Sequence, residues 1–393
     1  MKSILYLYHT SSIGGGSFCL LNILRSIDRS LYKPIVLLKE KGPLVEEIQK
    51  LDIPVYYLKG MSTVPYNVST FTLKKMVNAF RLINSLSEYK KILRIIKPDI
   101  VYVNTMMLYP YLRQAKRTGI KTAIHIREHW PKGQHKIQRR IALKSIDKYA
   151  DHIIAINKYS TSMLAFSKKP KTTVYDWIDM SGRYENYPLS KVFGESMDNK
   201  KVYLYMGGMQ AIKGILQVIK AFTESVPDKN SRLLVMGVKN DSYSTGWRKS
   251  VKNILSKLGM PTYTEKVKLA IKKDDRIRCI PSQYKINHIV EQSYCILSYF
   301  TIPHANLALA ESIILGVPSI AAKTSESIEY SLNGCMASLF ELNDYEDFKK
   351  HIIKFAEERP QIMSDIEKHS NEIAKLFDPQ INSNKLNEIY KAL

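Results

Sequence analysis

Short apolar runs alternate with helical patterns along the chain, and this order restricts the fold more than any other feature of the sequence. Strands that alternate with helices build parallel sheets whose two faces are both covered. In the first half, strands are predicted at 4–8, 35–38, 55–58, 100–104, 123–126 and 153–156. The helical patterns among them lie at 17–27, 43–51, 73–96 and 137–148.

The alternation restarts after residues 181–200, a polar and aperiodic stretch that is typical of a linker. Strands are predicted at 202–206, 232–236, 276–280, 295–299 and 319–322, and helices at 215–223, 307–315, 344–357, 360–376 and 381–392. Two such halves predict an α/β protein of two doubly wound, Rossmann-like lobes, residues 1–185 and 186–376. Because ligands of such folds bind beyond the carboxyl ends of the strands, we expect the site in the cleft between the lobes.

Basic residues are concentrated in the first half. The 393 residues include 59 Lys and Arg against 36 Asp and Glu, and residues 1–190 hold 31 of the former and 13 of the latter. Solvated faces of two core-packed helices explain part of this charge. The rest favours an anionic membrane surface with a lipid-linked acceptor, and for nucleic acid, the competing partner, no binding motif is visible. The basic residues of the two helices are Lys74, Lys75, Arg81, Lys90, Lys91, Arg94 and Lys97, then Lys132, Lys136, Arg139, Arg140, Lys144 and Lys148.

The cysteines and the apolar runs indicate the cellular compartment. The four cysteines show no C-x-x-C spacing, so neither a zinc ribbon nor a disulfide framework is predicted. No apolar stretch approaches the ~18 residues of a transmembrane helix, and the run at 4–8 is too short for a signal peptide. We therefore expect a cytoplasmic protein that contacts the inner face of the plasma membrane peripherally.

The segment 299–318 joins a strand end to a helix that begins near Asn306. Asn306 suits the N-cap, and the N–H groups of Asn306, Leu307 and Ala308 suit a diphosphate because the first turn of a helix leaves them unpaired. Glu311 lies one turn deeper on the same face, where its carboxylate can accept hydrogen bonds from a ribose diol. The alternative is an ordinary exposed helix residue, although the apolar residues around Glu311 look buried.

A second candidate loop follows the first strand of the second half. Gly207 and Gly208 let the backbone approach a ligand closely, and Lys213 can set a cation against the charge that develops on a leaving phosphate. A solvated lysine in a strand–helix loop is the competing interpretation. Gly237 and Pro281 directly follow two further predicted strands, and we assign them to the same site.

Three consecutive glycines, residues 14–16, separate the first strand from the first helix. They do not form the G-x-G-x-x-G of dinucleotide-binding folds, and Asp52 lies beyond the end of the second strand, which disfavours NAD. Gly15 and Gly16 still let a substrate or phosphate reach the helix N-terminus, and a plain tight turn explains them equally well.

A polar cluster follows the strand at 123–126. Alternation puts His125, Arg127 and His129 on one face and Glu128 on the other. Metal binding by the two histidines is the lesser option, because they lack an obvious third ligand.

These features together resemble the GT-B glycosyltransferases, specifically the retaining family 4 type. The matching segments follow the family order over nearly the whole chain: the glycine-rich opening, KPDIVYV at 97–103, ADHIIA at 150–155, KG at 213–214 and AESIILGVPSIA at 310–321. The resemblance implies that the second lobe binds a UDP- or GDP-sugar and the first lobe the acceptor, with neither a metal nor a cofactor. It also implies that the last helix, 377–393, packs back on the first lobe.

The sequence departs from that family at two positions. The family has Glu at two positions eight apart, but here the first is Pro303, so that Glu311 alone remains. The Arg that usually stands beside the donor-loop glycine is Gly208. By resemblance, His125 lies beside the reacting sugar, and Arg127 is the candidate for the missing cation.

The resemblance predicts a glycosyltransferase that moves a sugar from a UDP- or GDP-sugar to a lipid-linked glycan in bacterial surface polysaccharide biosynthesis. Glu311 would hold the ribose, and Lys213 with the N–H groups near Asn306 would stabilise the leaving diphosphate. The two departures motivate a first alternative, a GT-B scaffold that binds a nucleotide sugar or a partner without efficient turnover. A sugar-nucleotide epimerase on the same fold is a second alternative.

Overall fold

The computed structural model describes residues 1–64, 73–133, 135–178, 187–237, 261–282 and 286–393, and of 73–79 it describes the backbone. The chain divides into two compact units, Met1–Asp179 with Leu376–Leu393, and Met180–Lys375. The sequence placed the first boundary slightly later, at 185/186. The predicted linker 181–200 lies partly outside the described residues, and its described part includes the short helix Leu189–Phe193 rather than aperiodic chain throughout.

The first unit is built on a parallel sheet, which in the described residues has seven strands in the order β3-β2-β1-β4-β5-β6-β7. The strand order turns back at β1, which is the Rossmann arrangement. The strands are β1 Lys2–Tyr8, β2 Tyr32–Leu38, β3 Val55–Tyr57, β4 Ile100–Val103, β5 Lys121–Ile126, β6 His152–Ala155 and β7 Lys171–Thr173. The helices are α1 Gly15–Ser26, α2 Pro43–Gln49, α3 Leu73–Ile96, α4 Tyr109–Arg117, α5 Lys136–Tyr149 and α6 Lys158–Ser162.

The period-two pattern of β1 explains how this sheet is covered. Leu5 and Leu7 pack with α3, α4 and α5, whereas Ile4, Tyr6 and Tyr8 pack on the opposite face with α1, α2 and the last helix of the chain. Successive side chains of a strand point to opposite faces, so a strand that is apolar throughout must have helices on both sides. The predicted layer arrangement is therefore confirmed for this unit.

The second unit has the same design. Its parallel sheet, within the described residues, has six strands in the order β10-β9-β8-β11-β12-β13. The strands are β8 Lys201–Tyr205, β9 Ser231–Met236, β10 Ile277–Ile280, β11 Cys295–Ser298, β12 Ser319–Ala322 and β13 Ser338–Phe340. The helices are α7 Leu189–Phe193, α8 Ile215–Ser225, α9 Tyr263–Lys272, α10 Asn287–Glu291, α11 Leu307–Ile314, α12 Ser325–Tyr330 and α13 Tyr345–Leu376. The predicted α/β class with two Rossmann-like lobes is thus confirmed.

One helix prediction is wrong. The sequence predicts a break between residues 357 and 360, but α13 runs without interruption through Pro360. A proline inside a helix removes one N–H donor and crowds the preceding turn. The buried apolar stripe that continues on both sides outweighs this loss, since most helix stability in proteins comes from packing. The stripe consists of Phe348, Ile352, Phe355, Ile362, Ile366 and Ile373.

The last helix, α14 Pro379–Ala392, belongs to the first unit. The Tyr6 hydroxyl donates to the Tyr390 hydroxyl at 3.1 Å, inside a buried cluster of tyrosine rings. The side-chain oxygen of Asn382 accepts a hydrogen bond from the backbone N–H of Tyr175 at 3.0 Å. The helix therefore completes both the core and the β7-side edge of this unit. None of the described helices is long and apolar enough to cross a membrane.

Candidate functional site

Four neighbouring strands of the second unit end at one edge of its sheet. Because β10, β9, β8 and β11 are adjacent and parallel, the loops that follow them converge. The N–H of Gly237 donates to the carbonyl of Ile280 at 3.0 Å, and a Cβ added to Gly237 would lie 2.8 Å from the Cα of Gly208. The N–H of Thr301 donates to the carbonyl of Ile212 at 2.9 Å. The structure thus brings together the loops that carry most of the predicted donor residues, including exposed Pro281 directly after β10.

Tyr205, at the end of β8, supports the loop that carries Lys213. Its hydroxyl lies 3.2 Å from the carbonyl oxygen of Gly208 and 3.0 Å from that of Lys213, and donates toward both. A Cβ on Gly207 would lie 2.1 Å from this hydroxyl. The sequence interpretation of Gly207 is therefore incomplete, because the space beside it holds the Tyr205 ring. The sequence analysis missed Tyr205 itself; a tyrosine two residues before a glycine pair was the available signal.

Gly208 and Gly214 have a different role in the same loop. Their φ angles are +66° and +64°, in the left-handed region that favours glycine. A Cβ on Gly214 would lie 2.2 Å from the ring of Tyr299. The loop therefore packs tightly on the end of β11, with Lys213 at the end of a 3-10 turn, Ala211–Lys213.

Lys213 is half-buried, and burial lowers the pKa of its ammonium group. Among the described residues, no hydrogen bond or ion pair reaches its side chain. Burying a cation without a partner costs free energy, and a bound phosphate would offset this cost by pairing with the cation. A perturbed group at the carboxyl edge of a parallel sheet is also typical of functional sites. These properties favour the predicted phosphate contact over a solvated loop lysine.

Asn306 caps α11, as predicted. It is 1% exposed, and its side-chain oxygen accepts from the N–H of Leu309 at 3.3 Å and from the hydroxyl of Ser298 at 3.0 Å. Asn306 therefore connects the helix start to β11, while its amide nitrogen is buried and finds no hydrogen-bond partner among the described residues. The N–H groups of Leu307 and Ala308 belong to the first helical turn, whose donors have no acceptor within the helix.

Glu311 lies on the half-exposed stripe of α11, with Leu307 and Ala308 one turn earlier. Its helix neighbours Leu309, Ala310, Ser312 and Ile313 are buried. No hydrogen bond or ion pair within the described residues reaches the Glu311 carboxylate. Burial raises the pKa of this carboxyl group to about 7. Glu311 is thus not the exposed residue of the alternative interpretation, and within the part of the chain that the structure describes it is not a paired structural charge. A carboxylate in this state can accept hydrogen bonds from a ligand hydroxyl pair.

The glycine loop of the first unit leads into α1. A Cβ on Gly16 would lie 2.6 Å from the hydroxyl of Tyr8, so packing requires this glycine. Around Gly14 and Gly15, in contrast, a Cβ would meet nothing within 4 Å, and neither residue has a left-handed φ angle. A tight turn does not explain Gly15, and the open space beside it is compatible with the predicted phosphate or substrate contact.

His125, in β5, is buried at 1% exposure. Its Nδ1 lies 2.6 Å from the hydroxyl of Tyr102 and 3.2 Å from Nη2 of Arg127. Burial, with the neighbouring Arg127 charge, holds the pKa of His125 well below its usual range, so the ring is neutral. The predicted contact between His125 and a reacting sugar is not apparent from this position, which favours a positioning role.

Arg127 is fully engaged within the first unit. Its Nε donates to the side-chain oxygen of Asn104 at 3.0 Å, and its Nη1 forms an ion pair with Asp176. The side chain is 10% exposed. Asp176 neutralises the guanidinium, which disfavours Arg127 as the cation missing at Gly208. The sequence analysis missed Asp176 and Asn104, because they follow other strands and meet Arg127 only in the folded sheet.

His129 does not share a face with His125, so that prediction is wrong. The strand ends at Ile126, and the alternation does not continue beyond it. The His129 ring instead stacks on Tyr159, with 3.8 Å between ring centroids. Within the described ranges, no group of three metal-binding side chains occurs.

Glu128 is a second buried carboxyl group that the sequence analysis did not assign. It accepts hydrogen bonds from the Thr105 hydroxyl and from the N–H groups of Met106, at 2.8 Å, and Arg127, at 3.0 Å. Burial raises its pKa, although each hydrogen bond opposes that shift. Glu128 therefore joins the loops after β4 and β5, and this satisfied network indicates a structural role.

Gly237→Ala is expected to destabilise the protein by about 2 kcal/mol, because its φ is +92° and the added Cβ would meet the Gly208 backbone. Urea unfolding of the full chain measures the loss. Gly15→Ala is the matched control: it adds the same methyl group in open space at a helix start, and stability should hold or rise slightly. Equal losses in both variants would contradict this account of Gly237.

Arg127→Ala is expected to destabilise the protein by about 3 kcal/mol, because it leaves the half-buried Asp176 carboxylate without its counter-ion. Thermal and urea unfolding measure the change. In the double variant with Asp176→Ala, the loss should be smaller than the sum of the two single losses. Unchanged stability together with a sharp loss of turnover would instead assign Arg127 to direct substrate contact.

No protein-family model matches the chain. A curated relative is the UDP-N-acetylglucosamine–N-acetylmuramyl-(pentapeptide) pyrophosphoryl-undecaprenol N-acetylglucosamine transferase of Alkaliphilus oremlandii. It is 26% identical over 254 residues, which are 61% of this chain and 62% of that protein. The match therefore spans less than two thirds of the relative's length.

Solved structures resemble the chain over nearly its whole length. The Anabaena protein HepE in complex with UDP and glucose has a TM-score of 0.74 at 15% identity, covering 99% of both chains. A glycosyltransferase from Rickettsia africae has a TM-score of 0.67 at 17% identity, covering 100% of this chain and 98% of that one. A putative UDP-N-acetylglucosamine 2-epimerase from Listeria monocytogenes has a TM-score of 0.62 at 14% identity, covering 100% and 96%. At such identities the likeness concerns the fold, and the protein therefore has the GT-B fold of glycosyltransferases, with two Rossmann-like lobes.

Proposed function

We propose that the protein is a glycosyltransferase that moves a sugar from a nucleotide sugar to a glycan or lipid-linked acceptor. The observation that carries this proposal is a pair of half-buried charges at the carboxyl edge of the second sheet, Lys213 and Glu311, which have no partner among the described residues. Together they offer a cation for a diphosphate and an acceptor for a ribose diol. The resemblance to HepE, whose structure contains UDP and glucose, supports a UDP-sugar as the donor, with a GDP-sugar as the second choice.

In the proposed reaction the bond between the anomeric carbon and the β-phosphate oxygen breaks, and the acceptor hydroxyl forms a new bond to that carbon. The electron pair stays with the diphosphate, so negative charge grows on its terminal oxygen. Lys213 and the first-turn N–H groups of Leu307 and Ala308 would stabilise this charge. The acceptor proton leaves to solvent or to the departing phosphate. We propose a retaining course of family 4 type, without a metal or other cofactor.

We further propose that the first unit holds the acceptor, with Gly15 at its binding surface and His125 and Arg127 as positioning residues behind it. The curated relative's name includes a pyrophosphoryl-undecaprenol substrate, which supports a lipid-linked acceptor here. Such an acceptor places the reaction at the inner face of an anionic membrane, in the assembly of a surface polysaccharide.

A binding screen followed by a turnover assay tests the function. The full chain is heated with UDP-, GDP-, ADP- and CMP-sugars, and the donor is expected to raise Tm by several degrees. Release of the nucleoside diphosphate then reports transfer when a lipid-linked glycan is added. Tm shifts for none of the four classes would contradict the proposal.

The same assay separates two alternatives. The absence of a cation at Gly208 favours a scaffold, which would bind a nucleotide sugar without releasing diphosphate under any acceptor. The similarity to the Listeria epimerase fold favours an epimerase, which would convert the sugar nucleotide into its epimer in the absence of acceptor. Either result would replace the transferase assignment.

A further inference from the structure

A basic cavity lies beside the amino-terminal half of α5, next to the loop that follows β5. It has a volume of about 360 Å³, and five of its lining residues are cations. None of its described lining residues carries a carboxylate. The side chains that the argument uses are Lys132, Lys136, Arg139, Arg140, Lys144 and Phe166.

These cations are largely uncommitted within the described part of the chain. Arg139 donates from Nε to the carbonyl of Trp130 at 3.0 Å, but none of the five forms an ion pair there. The stretch 132–148 contains six basic residues against the single acidic residue Asp147. Within the described residues this positive charge therefore has few counter-charges, and it is complementary to an anionic surface.

Apolar side chains stand exposed on the same element. Ile137 is 77% exposed and Ile141, one helical turn later, is 54% exposed, while Phe166 at the cavity wall is 58% exposed. The core contacts of α5 come from Ala142, Leu143 and Ile146 instead. The interpretation of this helix as core-packed with a solvated basic face therefore accounts for only part of its residues, because two of its isoleucines face outward.

We propose that this surface, the α5 face (Lys132, Lys136, Ile137, Arg140, Ile141, Lys144 and Phe166), docks the protein on a bilayer that contains anionic phospholipids. Lysine and arginine side chains contact the headgroup phosphates, and the isoleucines and Phe166 enter the boundary between headgroups and acyl chains. A solvated nucleic acid would neutralise the cations but leave the apolar side chains in water. The inference rests on the proposed function only where it explains why docking is useful: docking would bring the protein to a lipid-linked acceptor.

Vesicle sedimentation of the full chain, without any nucleotide sugar, tests the α5 face. The wild type is expected to bind vesicles of phosphatidylcholine with 30% phosphatidylglycerol at about 0.1 M salt, and to bind far less at about 0.5 M, since salt screens the attraction. Pure phosphatidylcholine should bind little. Arg140→Gln with Lys144→Gln is expected to lower the partition coefficient about thirtyfold. Ile137→Ser with Ile141→Ser should lower it about tenfold and leave the remaining binding sensitive to salt.

The matched control removes two positive charges, as the Arg140→Gln with Lys144→Gln variant does, but from a different surface. Lys272→Gln with Lys273→Gln changes two exposed lysines at the end of α9 in the second unit, and its partition coefficient should stay within about twofold of the wild type. Absence of wild-type binding, equal losses in the control, or unaltered binding of both α5 variants would overturn the inference. Donor binding in solution is measured separately on the same variants, so a failure of docking and a failure of the proposed transfer are distinguishable.

Discussion

Lys213→Ala is expected to lower kcat for sugar transfer by about a thousandfold, at the upper end of what one charge-stabilising group supplies. Lys213 is the only cation in the loop 206–214, because Gly208 stands where the family resemblance expects an arginine. Its side chain has no partner within the described residues, so its full charge is available to the leaving diphosphate. Steady-state release of the nucleoside diphosphate measures the effect, and donor KM should change much less than kcat.

Lys213→Arg is the matched variant that separates charge from folding. Burial lowers the pKa of Lys213, so kcat/KM of the wild type should fall on the alkaline side below the range of an ordinary lysine. Arginine stays protonated, so the pH profile of kcat/KM for Lys213→Arg should show no such alkaline fall, even if the rate of this variant is reduced. Lys272→Ala, an exposed lysine of α9, should keep wild-type kinetics. A Lys213→Ala rate within about threefold of the wild type would remove Lys213 from the reaction.

Glu311→Gln is expected to have two opposite effects: it raises the free energy of unfolding of the ligand-free protein, and it weakens donor binding. The folded-state pKa of Glu311 is about 7 against an ordinary value of 4.5, so the folded protein prefers the protonated form. The wild type therefore loses stability as pH rises from about 4.5 through 7, up to a cost of about 3 kcal/mol. The glutamine variant carries no such cost. Its advantage in urea unfolding should be near zero at pH 4.5 and largest at pH 8.

Donor affinity, in contrast, should fall in the Glu311→Gln variant. A neutral amide accepts more weakly than a carboxylate from the ribose hydroxyls, and a tenfold to hundredfold rise in donor Kd by calorimetry at pH 8 is expected. Glu291→Gln removes an exposed carboxylate at the end of α10 and should change neither quantity. Lower stability of Glu311→Gln at pH 8 would show that the carboxylate has a stabilising partner, and unchanged Kd would exclude it from the donor site.

Long elements were predictable from the sequence because their apolar periodicity extends over several turns or a whole buried strand. The helix at 73–96 and the strand at 319–322 were predicted with the bounds that the structure gives. Short elements such as β7, β13 and α12 were missed, since three to six residues contain too few periodic positions. Two longer helices, α4 and α9, were missed as well. The predicted helix break before Pro360 was wrong for another reason: tertiary packing of the apolar stripe outweighed the local effect of the proline.

The candidate site was predictable in part because strand–loop–helix junctions are visible as local patterns. Asn306 as the cap of α11 follows from such a pattern. The roles of Tyr205, Asn104 and Asp176 do not, because each depends on which strands become neighbours. Tyr205 supports a loop through hydrogen bonds to two carbonyls, and Asp176 reaches Arg127 across 49 positions of sequence. Contacts of this kind are set by sheet order rather than by spacing.

The return of α14 to the first unit affects the order in which the protein can fold during synthesis. The hydroxyl of Tyr6 donates a hydrogen bond to the hydroxyl of Tyr390, which lies 384 positions later in the chain. Most of the first unit emerges from the ribosome first, yet α14, which forms part of its core, is translated only after the entire second unit. Until then α1 and α2 cover only part of this sheet face, and the part that α14 covers stays exposed. Chaperone shielding of a nascent chain would be needed most at this surface.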